Sequence, residues 1–156
     1  MDTPPGTTDE HLSIVQVDLM ENNFIMIVKF SQYLAGAHLR GAIVVTTPQE
    51  VALQDVRKEI TFCNRVGLKV LGLVENMSTF VCPACHKGST ILPSSTGGAT
   101  SLAQELGLPL LAKLPLDPRL GQASDQGENL FEAHPASEVA VAYKGLAETL
   151  ASSLQP

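Results

Sequence analysis

From Gly41 onward, short apolar runs alternate with stretches in which apolar residues recur every three or four positions. "GAIVVTT" (41–47) is a run of branched apolar residues, the pattern of a buried strand. "TPQE" opens a helix behind it, with Thr47 as N-cap, Pro48 at the first helical position and Glu50 completing a capping box. Leu53, Val56, Ile60 and Cys63 then share one helical face, and Gly67 is placed to end the helix. "LKVLGLVE" (68–75) is a second buried strand, followed by a cysteine-bearing loop over 76–96. "STGGATSLAQELG" is a helix closed by Gly107, and "PLLAKLPLD" is a third strand. The last helix begins near Ser137, with Val139, Tyr143, Leu146, Leu150 and Leu154 on its apolar face.

Strand–helix–strand–helix–strand with continuous apolar strands implies an α/β fold, a parallel sheet covered on both faces. Ligands of such sheets bind beyond the carboxyl ends of the strands. "TTPQE", "ENMS" and "PLDP" each follow a strand, so the polar clusters gather at that edge. The first forty residues break the pattern. "DTPPGTTDEH" is an acidic, turn-rich opening, and "VDLMENNFIMIVKFSQ" (17–32) has neither a helical nor a strand period. We read 17–32 as an atypical insertion, and 1–156 as a single, incomplete doubly wound domain.

Composition narrows the classes. A length of 156 residues, 44% hydrophobic and 17% charged, suits one globular domain with a real core. A net charge of −6, with six Lys and four Arg scattered along the chain, argues against a nucleic-acid binder. Three cysteines, two of them in one C-x-x-C, do not make a secreted disulfide framework. No signal peptide is visible after Met1, and "FIMIVKF" (24–30) is too short to span a bilayer. A soluble intracellular protein is the expectation.

"CPACH" (82–86) leaves several chemistries open. It fits the C-x-x-C-H of c-type haem attachment, a chemistry of exported chains. A thioredoxin-like redox pair needs the first cysteine at a helix N-terminus, whereas "HKGSTILPSSTGG" is a loop composition. A structural zinc knuckle needs two more ligands from His11, His38, His86, His134 or Cys63, and Cys63 lies on an apolar helical face. A metal or iron–sulfur centre shared across a two-fold axis needs none of these, because one C-x-x-C per subunit gives four thiolates. A chance pair of free cysteines completes the set.

"DTPPGT" is similar to the end of a Walker B strand entering a switch loop, with Asp2 near Mg²⁺ and the Gly6 amide near a γ-phosphate; a proline-stiffened turn reads the same way. No lysine sits in G-x-x-x-x-G-K-[ST], so hydrolysis of a nucleotide by this chain alone is not expected.

Taken together, "DTPPGT.DEHL", "VVTTPQEV.L.DVRKEI.FC", "G.VENMS.F.CP.C", "TGG" and "PLDP" resemble the Mrp/Nbp-type nucleotide-binding iron–sulfur scaffold proteins. These are deviant P-loop ATPases related to MinD, and the likeness is nearest to their eukaryotic cytosolic branch. It covers residues 2–16 and about 33–156. The resemblance implies that Cys82 and Cys85 bind a [4Fe–4S] cluster bridging two subunits. It implies that Asp2 is the Walker B aspartate, that Asn76 reads the adenine edge, and that Pro115 and Asp117 line the other side of the base. ATP and Mg²⁺ are the family's cofactors. Its partners are a second copy or a paralogous scaffold subunit, and the apoproteins of cytosol and nucleus that receive the cluster. The chain departs from the family pattern in lacking the P-loop half and the strand ahead of Asp2, and in carrying 17–32, which resembles translated intron sequence. The expected function is therefore a cytoplasmic cluster scaffold or carrier without ATP hydrolysis of its own. The alternatives are a zinc-stabilised, non-enzymatic interaction module and an unproductive truncated product.

Overall fold

The computed structural model describes residues 40–154 except 66, 83 and 86. Asp2, Gly6 and the 17–32 segment lie outside the described residues. Three strands run parallel: β1 (Ala42–Thr46), β2 (Val70–Val81) and β4 (Leu110–Leu116), with β2 in the middle. A two-residue strand, β3 (Gly88–Ser89), pairs antiparallel with the last residues of β2 and makes the sheet mixed. The connecting helices are α1 (Glu50–Arg65), α2 (Gly98–Leu106), α3 (Pro118–Gln126), α4 (Leu130–Ala133) and α5 (Glu138–Ser153).

The helical period forecast for α1 places Leu53, Val56, Ile60 and Cys63 in the interior. Leu53, Val56 and Ile60 meet Val44 and Leu73 of the sheet and Ala99, Leu102 and Ala103 of α2, so α1 and α2 share one face of the sheet. A second cluster forms where α5 leaves its cap: Val139 packs with Ala123 and Leu130, flanked by Leu120 and Tyr143. Helix α5 also packs on β4. Leu53 is 1% exposed at the centre of the larger cluster. Leu53→Ala is expected to cost about 2–5 kcal/mol, lost methylenes plus residual cavity, read as a lower urea midpoint with an unchanged slope.

Four expectations change. β1 is not buried on both sides, because Val44 and Thr46 face the core while Ile43 and Val45 are 38% and 58% exposed. Helix α1 starts at Glu50 rather than Pro48, and no Thr47 capping box forms. Instead the Thr47 hydroxyl donates to Gln49 Oε1 at 3.4 Å, and the Gln49 carbonyl accepts from the Ala52 and Leu53 amides. The supposed loop 76–96 is strand as far as Val81, with a hairpin return at β3. Finally, α3 and α4 occupy a stretch to which no element was assigned. Asp117 before Pro118 and Asn129 before Leu130 are their caps, each accepting the backbone N–H two residues on.

Candidate functional site

The middle of the sheet carries a buried charge. Glu75, on β2, is 4% exposed and lies beside Thr46 of β1 and Lys113 of β4. Its Oε2 accepts the Ala99 amide at 2.7 Å, and Lys113 Nζ stands 3.3 Å from Oε1. A carboxylate in an apolar interior is costly unless it is paired and hydrogen-bonded, and here both conditions are met. The first turn of α2 supplies the donor, where backbone amides lack intrahelical partners. The approach depends on the paired glycines before it. Gly97 and Gly98 hold φ of 89° and 65°, and a Cβ on Gly98 would stand 2.6 Å from Glu75 Oε2.

Two residues past Glu75 the strand kinks. Met77 holds φ 54°, a left-handed conformation, and the Asn76 side-chain oxygen accepts the Met77 amide at 2.9 Å. For a side chain other than glycine that conformation costs roughly 1–2 kcal/mol, and such positions gather at functional sites. The kink leaves its mark in the register, because Asn76 pairs with Leu114 and Phe80 with Leu116. Four steps along β2 thus oppose two along β4, and Ser78 Oγ closes the bulge by donating to the Leu114 carbonyl at 3.1 Å. Asn76 and Pro115 consequently stand on adjacent strands at the carboxyl edge of the sheet, Pro115 one residue beyond the partner of Asn76.

Asp117 lies farther along and is committed elsewhere. Its buried carboxylate accepts the Arg119 amide at 3.0 Å and the Arg119 Nε at 2.9 Å, capping α3. The hydrogen bonds from the Arg119 guanidinium hold the Asp117 carboxyl below the usual value of 3.8, and the same contact raises Arg119. Because the folded value is depressed, this pair stabilises the protein fully above the ordinary aspartate range. The contribution disappears as pH falls through the lower folded value. Acid-unfolding curves of Asp117→Asn should therefore lose part of their slope below about pH 4, where wild type still loses stability.

At the far end of β2, Cys82 and Cys85 occupy the tip of the β2–β3 hairpin. The Cys82 amide donates to the Lys87 carbonyl at 3.1 Å, beside the Val81–Gly88 and Phe80–Ser89 pairs. Cys82 is half-buried and Cys85 exposed, and both are free thiols. Backbone N–H groups of Cys85 and Ala84 aim at the Cys82 sulfur, and the Cys85 side chain also contacts it, which lowers the Cys82 thiol from its ordinary value. Burial does the opposite to Cys63, which is 2% exposed and raised. Cys63 is a core residue, as its helical spacing indicated. Among the described residues no group of three or more His, Cys, Asp or Glu side chains could hold a metal ion. Two free cysteines at one hairpin tip supply two soft donors of the kind that zinc or an iron–sulfur cluster takes.

A cleft of about 400 Å³ opens beside the root of this hairpin, lined by Val81, Arg119, His134, Ser137 and Glu138 among others. The loop from β3 to α2 is held down where Thr96 donates to Glu50, whose carboxylate also accepts from Arg57 and Gln54. Sequence reasoning missed both Glu75 and this contact. A glutamate inside an apolar strand was the available signal for the first; the second is a long-range pairing with no local signature. No described helix is long and apolar enough to cross a membrane.

A family model described as ParA, NUBPL iron-transfer P-loop NTPase, matches residues 1–151. Among solved structures, the cell division ATPase MinD of Pyrococcus furiosus is similar over 72% of this chain, at 26% identity and TM-score 0.55. The septum site-determining protein MinD of Pyrococcus horikoshii, complexed with Mg-ADP, is similar over 70%, at 26% identity and TM-score 0.53. A nucleotide-binding protein from Archaeoglobus fulgidus, in complex with ADP, is 36% identical over 56% of the chain, with TM-score 0.48. The chain spans 43%, 40% and 35% of the lengths of these three proteins, respectively.

Proposed function

The chain belongs to the NUBPL iron-transfer P-loop NTPase family within the ParA group, and from that premise we propose that it is an iron–sulfur cluster scaffold of Mrp/Nbp type. The observation that carries this reading is the β2–β3 hairpin, which carries Cys82 and Cys85 as two free thiols at its tip, the Cys82 amide anchored on the Lys87 carbonyl. The cargo is a [4Fe–4S] cluster held by four thiolates, two from this chain and two from a second copy or a paralogous subunit. Cytosolic apoproteins would receive it.

The carboxyl edge of β2 and β4 is the nucleotide-facing side in this reading. The Asn76 side chain is fixed through its oxygen by the Met77 amide, leaving its amide nitrogen to read an adenine edge, with Pro115 on the neighbouring strand. Asp117 acts one step back, by capping α3 and setting the path of the segment that carries Pro115. Anaerobic reconstitution with iron and sulfide tests the central point. Equal iron and acid-labile sulfide with a broad visible absorption band supports the scaffold, whereas bound zinc without sulfide supports a zinc-stabilised module instead.

A further inference from the structure

The segment that follows the cysteine hairpin is held at few points. Residues 90–97 join β3 to α2 without helix or strand, and all but Leu92 are exposed. At one end of this strap stand only the two β2–β3 pairs. At the other the chain turns through Gly97 and Gly98, both at positive φ, before Ala99 seats on Glu75. Two successive glycines make that corner a free pivot unless a neighbour fixes it. Thr96 stands one residue ahead of the pivot, and its hydroxyl donates to Glu50 Oε2 at the start of α1. Among the described residues, no other side chain of 90–97 makes a hydrogen bond. Glu50 is itself anchored, because its Oε1 accepts from Gln54 at 2.6 Å and from Arg57 at 3.1 Å. Arg57 in turn reaches Glu105, in the last turn of α2, at 2.9 Å. Helix α2 is thus tied to α1 at both ends, and the acceptor offered to Thr96 is ordered before the strap arrives.

We propose that the Thr96–Glu50 contact is a latch on the β3–α2 strap, and that it limits how far the cysteine-bearing hairpin moves against the core. A hydrogen bond one residue from a glycine pivot fixes the direction in which the strap leaves α2. When it opens, Gly97 and Gly98 turn with no Cβ to resist them, and the strap is free to swing. The two β2–β3 pairs and the Cys82 amide on the Lys87 carbonyl then hold the hairpin root alone. A two-residue strand at the margin of a sheet is a weak hold, and such elements open far more readily than the core. The latch also joins the hairpin to the helix that leaves the carboxyl end of β1, since Glu50 follows that strand by four residues. Its bearing on a bound cargo rests on the scaffold reading above; the motion of the hairpin does not.

The test reads backbone amide exchange by NMR on the reduced, metal-free full chain. Thr96→Val keeps the shape of the side chain and removes the donor. The Cys82 amide, whose hydrogen bond closes the hairpin root, is expected to exchange about two- to tenfold faster, the size of one hydrogen bond's net contribution. Amides inside α1 and β4 should keep their wild-type rates. Thr96→Ser retains the donor and should restore the slow exchange of Cys82. In a Glu50→Ala background, Thr96→Val should add nothing further. An unchanged Cys82 rate in Thr96→Val, an equal rise throughout the sheet, or full additivity with Glu50→Ala would overturn the latch. A second arm reconstitutes iron and sulfide and follows the loss of iron to the chelator bathophenanthroline. Iron is expected to leave Thr96→Val about two- to tenfold faster than wild type, in step with the exchange, and equal rates would overturn the hold on the cargo. If wild type takes up no cluster while the exchange pattern is as expected, the scaffold reading fails and the latch stands.

Discussion

Cys82→Ser, reconstituted anaerobically beside wild type, is expected to lose its visible absorption band and bind iron more than about a hundredfold more weakly. Residues that merely support a metal ligand commonly contribute about 10–100-fold to affinity, and Cys82 is the ligand itself in this reading. A serine oxygen in its place is a hard donor and a poor ligand for iron–sulfur iron. Cys85→Ser should match it in iron lost. Cys63→Ser should keep full loading, because its thiol is buried on the inner face of α1, although replacing a buried apolar sulfur will lower stability somewhat. Loss of loading in Cys63→Ser comparable to Cys82→Ser, with the fold intact by circular dichroism, would count against the hairpin as the site.

The second large effect is on folding. Glu75→Ala is expected to destabilise by about 1–3 kcal/mol, because the buried Ala99 amide at the start of α2 loses its acceptor. Lys113 is half exposed and turns to water without penalty. Glu75→Gln keeps an acceptor and should recover most of the loss. Gly98→Ala is destabilising for two reasons, its φ of 65° and the 2.6 Å approach of a new Cβ to Glu75 Oε2. Only the first reason survives when the carboxylate is gone. A double-mutant cycle with Glu75→Ala should therefore show a favourable coupling, with Gly98→Ala costing about 1 kcal/mol less in the Glu75→Ala background. Strict additivity in urea denaturation would mean that α2 does not rest on the carboxylate in this way.

Much of this fold could be read before any coordinates. β1, β4, the buried face of α1, the Gly107 end of α2 and the Ser137 start of α5 all came from periodicity and capping chemistry. These are local rules, and they hold where a segment obeys its own pattern. β2 escaped them. Its continuation through Asn76–Met77–Ser78 depends on one left-handed residue and on a bulge opposite Leu114, which a polar tetrapeptide does not announce. Helix α3 escapes these rules although its cap is orthodox, because Ala123 is the one buried residue in its nine and no apolar period marks it. The exposed side of β1 was missed for a different reason: a run of branched residues does not say how many faces are covered.

The site was legible in the same uneven way. Spacing alone singles out Cys82 and Cys85 as candidates, and the register sets Asn76 and Pro115 on neighbouring strands. The carboxylate beneath α2 is a tertiary fact. It does not follow from residue spacing, because it joins a side chain to backbone whose direction the fold alone decides.

The most direct measurement is the mass of the metal-loaded species, by light scattering on an anaerobic sizing column with iron and sulfide assayed across the peak. Half a ligand shell per chain requires the loaded protein to run as a dimer with about four iron and four sulfide per pair, and the stripped protein to run smaller. A monomer that carries the full cluster by itself would contradict the shared site.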